Sequence, residues 1–167
     1  MPLGGGAVPS LTVWSYPTPL GVDAGELHLK RLVEQDALVV HDAIAVIWMP
    51  GAEEATVRHL HHDTTRAATK CAVLGGLIGT VLLVPVAGAA VGGAAAGAWT
   101  RLRGHAIDDD FVDELRERVV PGTSALFVLS SGARADAVAA FLATTEATLL
   151  HADLGTEVPD ELRALLA

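Results

Sequence analysis

Residues 71–99 read CAVLGGLIGTVLLVPVAGAAVGGAAAGAW, and no charged residue occurs between Lys70 and Arg101. As one continuous helix this stretch would be roughly 43 Å long, which exceeds the thickness of about 30 Å of the hydrocarbon core of a bilayer. Pro85 lies at its middle, where a proline removes an amide donor and clashes with the preceding turn. The stretch therefore predicts either one bent helix or two short helices that meet at the proline.

Basic residues flank this apolar segment at both ends. Arg66 and Lys70 precede it, and Arg101 and Arg103 follow it. Because basic residues beside an apolar segment favour the cytoplasmic face of a membrane, a helical hairpin that returns to its starting side is predicted, with these four residues at headgroup level. Each arm would cover only about 21 Å, so the hairpin would be re-entrant, borrow flanking residues or pack against other copies.

Small residues recur every four positions in the segment. Residues spaced by four share one helix face, where missing side chains let a neighbouring backbone approach closely. This pattern predicts that the hairpin packs against other helices, and a buried hairpin in the core of a soluble protein remains the alternative. The rows are Gly75 with Gly79, Gly88 with Gly92 and Ala96, and Ala89 with Gly93 and Gly97.

The sequence on either side is typical of an α+β domain. Periodicity and turn residues predict a strand over 11–16, a helix over 22–37, strands over 39–48 and 55–60, a helix capped by Asp108, a buried strand over 125–129, a helix over 135–145, a strand over 147–152 and a short helix beginning at Pro159.

Each flank has only about 70 residues, too few for an independent core, so we expect one sheet shared by both flanks. The predicted fold is a ferredoxin-like α/β sandwich with the Gly/Ala-rich hairpin at its centre. In this division residues 1–10 form a flexible arm, 11–70 the first half of the domain, 71–99 the hairpin and 100–167 the second half.

Composition argues against several classes of function. The chain is 51% hydrophobic but only 4% aromatic, and its net charge of −9 opposes nucleic-acid binding. Cys71 is the single cysteine, which fits a reducing compartment, and the N-terminus lacks the pattern of a secretory signal. Ser130-Ser131-Gly132 lacks the spacing of a nucleophile elbow, and no phosphate-binding loop occurs. We therefore expect a cytoplasmic, non-enzymatic protein without a cofactor.

Two clusters of polar residues suggest metal binding. His59, His61 and His62 could present two imidazoles to one ion in either a strand or a helix, although a third ligand is not specified and a polar loop before the hairpin is the alternative. Asp108, Asp109 and Asp110 could also touch a cation, but three consecutive residues point in different directions. Acidic residues in a helix's first turn complement its dipole, so helix capping is the favoured interpretation.

Four stretches, taken in order, resemble a bacterial family of unknown function numbered twelve sixty-nine, often described as a membrane protein. The resemblance runs from Leu11 to about Asp153, and it implies a two-flank α/β domain with a central Gly-rich hairpin and no known activity. The stretches that carry it are Leu38 to Val46, the apolar segment, Gly104 to Phe111 and Pro121 to Leu129.

These observations lead to one main functional hypothesis. It is a membrane-associated protein that forms homo-oligomers through the Gly-rich hairpin, with the α/β domain at the cytoplasmic face of the cell membrane and the lipid bilayer as its other partner. The alternatives are a soluble, cytoplasmic homo-oligomer such as a shell, ring or filament with the hairpins packed inside, and a metal-binding protein that uses the histidine cluster.

Overall fold

The computed structural model describes residues 8–60, Ile78 and residues 107–154. Within residues 8–60 and 107–154 the chain forms five strands and three helices, so the predicted α+β class is confirmed. The predicted helix at Pro159 and most of the predicted arm lie outside this part of the chain. In chain order the elements are β1 (Ser10–Tyr16), α1 (Gly21–Glu34), β2 (Val39–Ile47), β3 (Thr56–His59), α2 (Asp109–Arg118), β4 (Ser124–Ser131), α3 (Ala135–Leu142) and β5 (Thr148–Asp153).

The five strands form one antiparallel sheet in the order β3-β2-β4-β1-β5. Helix α1 connects β1 to β2 past the intervening β4, and α3 connects β4 to β5 past the intervening β1. Strands β1, β2 and β3 precede the apolar segment, whereas β4 and β5 follow it. The prediction that both flanks share one sheet is therefore confirmed.

Strand β4 is the centre of the sheet and is buried on both sides. Its residues Ala125, Phe127 and Leu129 point to one face, and Leu126 and Val128 point to the other. The continuous apolar run from 125 to 129 predicts such a strand, because a strand covered on both faces does not need alternating polar residues.

The two faces of the sheet carry separate hydrophobic clusters, named here after the helices that cover them. The α1/α3 face buries a cluster that contains Trp14, Tyr16, Val22, Leu29, Leu32, Ala43, Ala45, Leu126, Val128 and Phe141. The α2 face buries a cluster that contains Leu11, Val13, Ile44, Val46, Ile78, Ile107, Phe111, Val112, Leu115, Ala125, Phe127, Leu129 and Leu150.

Helices α1 and α3 each end three residues before their predicted ends. In α1 the chain reverses at Asp36, which has a left-handed φ of 51°. The Asp36 amide donates to the Val33 carbonyl and the Ala37 amide to the Leu32 carbonyl, the two bonds of a Schellman motif. In α3 the Thr144 hydroxyl and amide both donate to the Phe141 carbonyl. These local bonds terminate helices whose apolar periodicity continues further.

The start of α1 is held by a distant strand. Its N-cap residue, Leu20, makes no side-chain cap, and the Ser124 hydroxyl on β4 instead accepts a hydrogen bond from the Val22 amide at 3.1 Å. The same hydroxyl donates to the Thr18 carbonyl at 2.7 Å. Ser124 is buried, so it satisfies two backbone groups and fixes the helix on the sheet.

Candidate functional site

The apolar segment begins after one corner of the sheet. The last residue of β3, His59, pairs with Ile44 on β2, and the next amide, that of Leu60, donates to the Ala43 carbonyl at 3.0 Å. Leu60, the last described residue before the apolar segment, is thus held beside the middle of β2.

A β-bulge on β2 shapes this corner. The pairing shifts between Val40 and Asp42, which leaves His41 as the extra residue. The His41 Nε2 atom lies 2.8 Å from the Ser131 hydroxyl on β4. Asp42 is paired with Leu129 and therefore faces the α2 face, where it is buried, and its Oδ1 atom accepts a hydrogen bond from the Ala43 amide. We call His41, Asp42, His59 and Ser131 the bulge corner.

The bulge corner contains one pair of side chains, His41 and Ser131, of the types that enzymes use as base and nucleophile. A serine hydroxyl and an imidazole at hydrogen-bond distance meet the first geometric requirement of nucleophilic catalysis. The same bond also satisfies two polar groups where the strand pairing ends, which is the commoner reason for such a contact. Because the sequence around Ser131 lacks the turn that exposes a nucleophile, we interpret the His41–Ser131 contact as structural.

The predicted histidine site falls only partly within the described residues. His59 is exposed on the edge strand β3, on the side of the sheet shared with Ile44, and the pairing makes Asp42 its diagonal neighbour. His61 and His62 lie outside the described residues. In the part of the chain that the structure describes, no group of three or more His, Cys, Asp or Glu side chains is placed to hold a metal ion. Metal binding by this cluster stays a prediction.

The three consecutive aspartates cap a helix. The Asp108 Oδ1 atom accepts a hydrogen bond from the Phe111 amide at 2.8 Å, and Asp109 and Asp110 lie in the first turn of α2. The favoured interpretation of these residues is therefore confirmed. Capping also orients α2, because it fixes the turn that presents Phe111, Val112 and Leu115 to the sheet.

Ile78 is the described residue of the apolar segment. It lies in a helix, is 4% exposed and belongs to the hydrophobic cluster of the α2 face. Ile107, which immediately precedes the capping Asp108, is 2% exposed in the same cluster. The chain therefore contacts one face of the sheet both within the apolar segment and after it.

The other predicted hairpin and headgroup residues lie outside the described residues. They are Gly75, Gly79, Pro85, Gly88, Gly92, Gly93 and Gly97 in the segment, and Arg66, Lys70, Arg101 and Arg103 beside it. Among the helices within 8–60 and 107–154, none is long and apolar enough to cross a membrane.

Residues 68–167 match the family model described as "Protein of unknown function (DUF1269)", which is more than half of the chain. The chain belongs to this family. No curated protein and no solved structure matches the chain.

The family match begins just before the apolar segment and continues to residue 167. It includes Ile78, the cap residue Asp108 and the central strand β4, which confirms the resemblance over that half. Family membership assigns no activity, because the family is described only as being of unknown function. The bulge corner lies across the limit of the match, with His41, Asp42 and His59 before it and Ser131 within it.

Two features of this region could not be predicted from the sequence. The contact between His41 and Ser131 depends on a bulge that inserts one residue into the pairing, and strand periodicity gives no sign of its position. The burial of Ile78 against the sheet could not be predicted because the residues beside it in sequence are also apolar. In such a uniformly apolar run, composition does not distinguish a protein-facing side chain from a lipid-facing one.

Proposed function

We propose that this protein is a non-enzymatic, membrane-associated protein that forms homo-oligomers through the Gly-rich hairpin of residues 71–99, with its α+β domain at the cytoplasmic face. The observation that carries the proposal is the common location of Ile78 and Ile107 in one hydrophobic cluster. The chain therefore lies at the same face of the sheet at residue 78 and again at residue 107. The return of the chain to the same face favours a helical hairpin over a single membrane crossing.

A single crossing would also divide the sheet. Strand β2 precedes the segment and β4 follows it, yet the two pair along their lengths. A domain with this pairing has both flanks in one compartment, which agrees with the basic residues at both ends of the segment. Pro85 supplies the break that a returning chain needs, and the rows of glycine after it supply faces for close helix packing.

We also infer that the domain core is ferredoxin-like. Strands β1, β2, β4 and β5 with helices α1 and α3 form two interleaved βαβ units, and their order in the sheet is β2-β4-β1-β5. In this interpretation the central insertion runs from β3 to α2, between the second and third core strands. The apolar segment then belongs to an insertion into this βαββαβ arrangement, and Ile78, Ile107 and α2 contribute to the cluster on the α2 face.

A soluble homo-oligomer is the second candidate function, and the burial of Ile78 favours it. A side chain in the first half of the segment that packs on the sheet is withdrawn from lipid. If the second half packs against copies of itself in the same way, the glycine rows would form the interior of a soluble assembly instead of a membrane anchor.

Mass determination with and without detergent tests both candidates. A species that remains with membranes and needs detergent for a defined mass supports the first, whereas a discrete oligomer without lipid supports the second. A soluble monomer at micromolar concentration contradicts both.

A double substitution tests the role of the glycine rows. Gly92→Leu with Gly93→Leu should dissociate the oligomer, because leucine side chains block the close approach of helices. Gly5→Leu with Gly6→Leu is the matched control, since it adds the same apolar groups outside the segment. Equal masses for the two double variants would count against the glycine rows as the contact.

A further inference from the structure

The two edge strands of the sheet differ in how well they are protected against pairing with another chain. Strand β3 has only four residues, and its Arg58 side chain is bonded to Asp23 and Glu26 on α1. Strand β5 has six residues, TLLHAD, without lysine, arginine or proline, and it pairs with β1 without a bulge. Short strands, charged side chains, prolines and bulges discourage pairing at a sheet edge. Of these features β5 has only Asp153, at its end.

The hydrogen bonds between β5 and β1 identify the backbone groups that point outward. The Leu154 amide donates to the Pro9 carbonyl at 3.0 Å, one position beyond the last pair of the register. Because hydrogen-bonded and non-hydrogen-bonded pairs alternate along antiparallel strands, the even-numbered residues of β5 are those that bond to β1. The amides and carbonyls of Leu149, His151 and Asp153 are therefore directed away from β1. Among the described residues, no strand pairs with that side of β5.

We propose that β5 pairs with β5 of a second copy of the chain, antiparallel and across a twofold axis at His151, so that two five-stranded sheets become continuous. The outward residues are symmetric about His151, and this register places Leu149 opposite Asp153 of the second copy. Each hydrogen-bonded pair exchanges two bonds, so the contact contains about six backbone hydrogen bonds. This contact lies within the α+β domain and does not depend on the hairpin.

The side chains of β5 on the α2 face agree with this register. Leu150 and Ala152 are 4% and 9% exposed, and both belong to the hydrophobic cluster of that face. In the twofold pairing, Leu150 lies opposite Ala152 of the second copy in a non-hydrogen-bonded pair, where the Cα atoms are only about 4.5 Å apart. A large side chain opposite a small one fits this short separation. The apolar cluster then continues from one copy into the other.

The polar side chains of β5 on the opposite face are complementary in charge. The His151 Nε2 atom lies 2.9 Å from the Asp153 Oδ1 atom of the same chain, and the two side chains are 47% and 72% exposed. The twofold register also makes each His151 the diagonal neighbour of Asp153 in the second copy, within reach of its side chain. An unrelated extended peptide would match only the backbone of β5. The matched side chains on both faces therefore favour a second copy as the partner.

Disulfide cross-linking tests the register in the full-length protein. In a Cys71→Ala background, His151→Cys should form a covalent dimer on mild oxidation, because residues opposed in a hydrogen-bonded pair have Cα atoms about 5.5 Å apart, within the range of a disulfide. Asp153→Cys is the matched control on the same face, since its two copies would be about 14 Å apart. The first variant should cross-link at least about tenfold faster than the second. Equal rates would overturn the proposal.

Substitution of the outward amide tests the backbone pairing. His151→Pro should halve the mass measured by sedimentation without detergent, because proline lacks the amide that bonds to the second copy, whereas the bonds to β1 come from the neighbouring residues. His151→Thr keeps this amide and should keep the mass of the unmodified protein. Thermal unfolding shows whether both variants are folded. Equal masses for the two folded variants would contradict the pairing.

The outcomes for β5 and for the hairpin are separable. A cross-link at position 151, together with an unchanged mass for Gly92→Leu with Gly93→Leu, would support the β5 contact and count against the hairpin contact. A mass that responds to the glycine substitutions, without a cross-link at position 151, would overturn the β5 contact and leave the proposed function intact. Slow hydrogen exchange of the His151 amide at every protein concentration, without a cross-link, would assign this edge to another part of the same chain and also overturn the proposal.

Discussion

The two faces of the sheet are covered by different parts of the chain. On the α1/α3 face the cover consists of the helices that connect the strands, so the strand order itself determines where they lie. On the α2 face the cover comes from α2, Ile107 and Ile78, all of which belong to the insertion between β3 and β4. The comparison shows that the helices connecting neighbouring core strands are enough to cover one face. The other face depends on residues of the long insertion between β3 and β4.

The faces also differ in how closely their parts fit. On the α1/α3 face, Tyr16 lies directly beneath α1, and a Cβ atom added at Gly21 or Gly25 would be 2.5 Å from the Tyr16 Cβ or 2.3 Å from its hydroxyl oxygen. The rings of Trp14 and Phe141 pack in a tilted arrangement, with their centroids 4.8 Å apart. The α2 face is mainly aliphatic. The packing of the α1/α3 face therefore depends on a close fit of shapes, whereas the packing of the α2 face depends mainly on apolar side chains.

Truncation of the central strand tests whether both faces are true cores and has the largest expected effect. Phe127→Ala on the α2 face should lower the free energy of unfolding by about 3–5 kcal/mol, and Leu126→Ala on the opposite face by about 2–5 kcal/mol, since neither side chain is exposed. Urea denaturation measures both, with Val57→Ala on the edge strand as a control that should change it by at most about 0.5 kcal/mol. A loss below about 1 kcal/mol for Phe127→Ala alone would show that the α2 face is not a packed core.

Substitution of Gly25 tests the close fit of the α1/α3 face. Alanine usually stabilises a helix relative to glycine by about 1 kcal/mol, but here its Cβ would overlap the Tyr16 hydroxyl. We expect Gly25→Ala to destabilise the protein by about 1–2 kcal/mol in chemical denaturation. Adding Tyr16→Phe should restore part of this loss, because it removes the nearest atom. A stabilised Gly25→Ala protein would show that the fit is loose.

The same tyrosine predicts a loss of stability in alkali. Burial raises the pKa of Tyr16 to about 12, and the nearby Thr145 side chain partly opposes the increase. Because the folded pKa lies above the unfolded value of about 10, the neutral phenol stabilises the fold below about pH 10, and this contribution is lost as the pH rises to about 12. The loss should be at most about 3 kcal/mol, because each pKa unit corresponds to about 1.4 kcal/mol.

Absorbance of the phenolate measures the ionisation directly, since Tyr16 is the single tyrosine of the chain. Its midpoint should lie near about pH 12 in the folded protein and near about pH 10 in urea. Tyr16→Phe should remove the corresponding slope in the free energy of unfolding. The same midpoint in folded and unfolded protein would contradict the burial of this hydroxyl.

Removal of the α2 cap is expected to have the smallest effect and concerns the α2 face alone. Asp108→Ala should cost about 1 kcal/mol of unfolding free energy, because the Phe111 amide loses its acceptor. Asp108→Asn should change it by only a few tenths of a kcal/mol, since asparagine retains an acceptor oxygen. If alanine and asparagine are equally destabilising in urea denaturation, the negative charge and not the hydrogen bond holds the helix start.

Much of this fold could be predicted from the sequence, and the site much less. The run from Ala125 to Leu129 indicates a central strand because only a strand covered on both faces is apolar at every position. Asp108 indicates the start of α2 because its side chain bonds an amide only three residues away. The partnership of His41 with Ser131 spans 90 residues, and no local pattern of the sequence encodes it.

The sequence by itself determined the local elements, the shared sheet and the apolar character of residues 71–99. Periodicity and caps indicate the elements, and the small number of residues in each flank indicates the shared sheet. The tertiary structure alone decided that Ser124 caps α1 from 102 residues away and that Ile78 packs on the sheet. Both contacts join parts of the chain that are far apart in sequence, and a side chain shows which distant group it meets only when the backbone has brought the two together. For Ile78 this difference is greatest, because its neighbours in sequence are almost all apolar and only its packing distinguishes it from them.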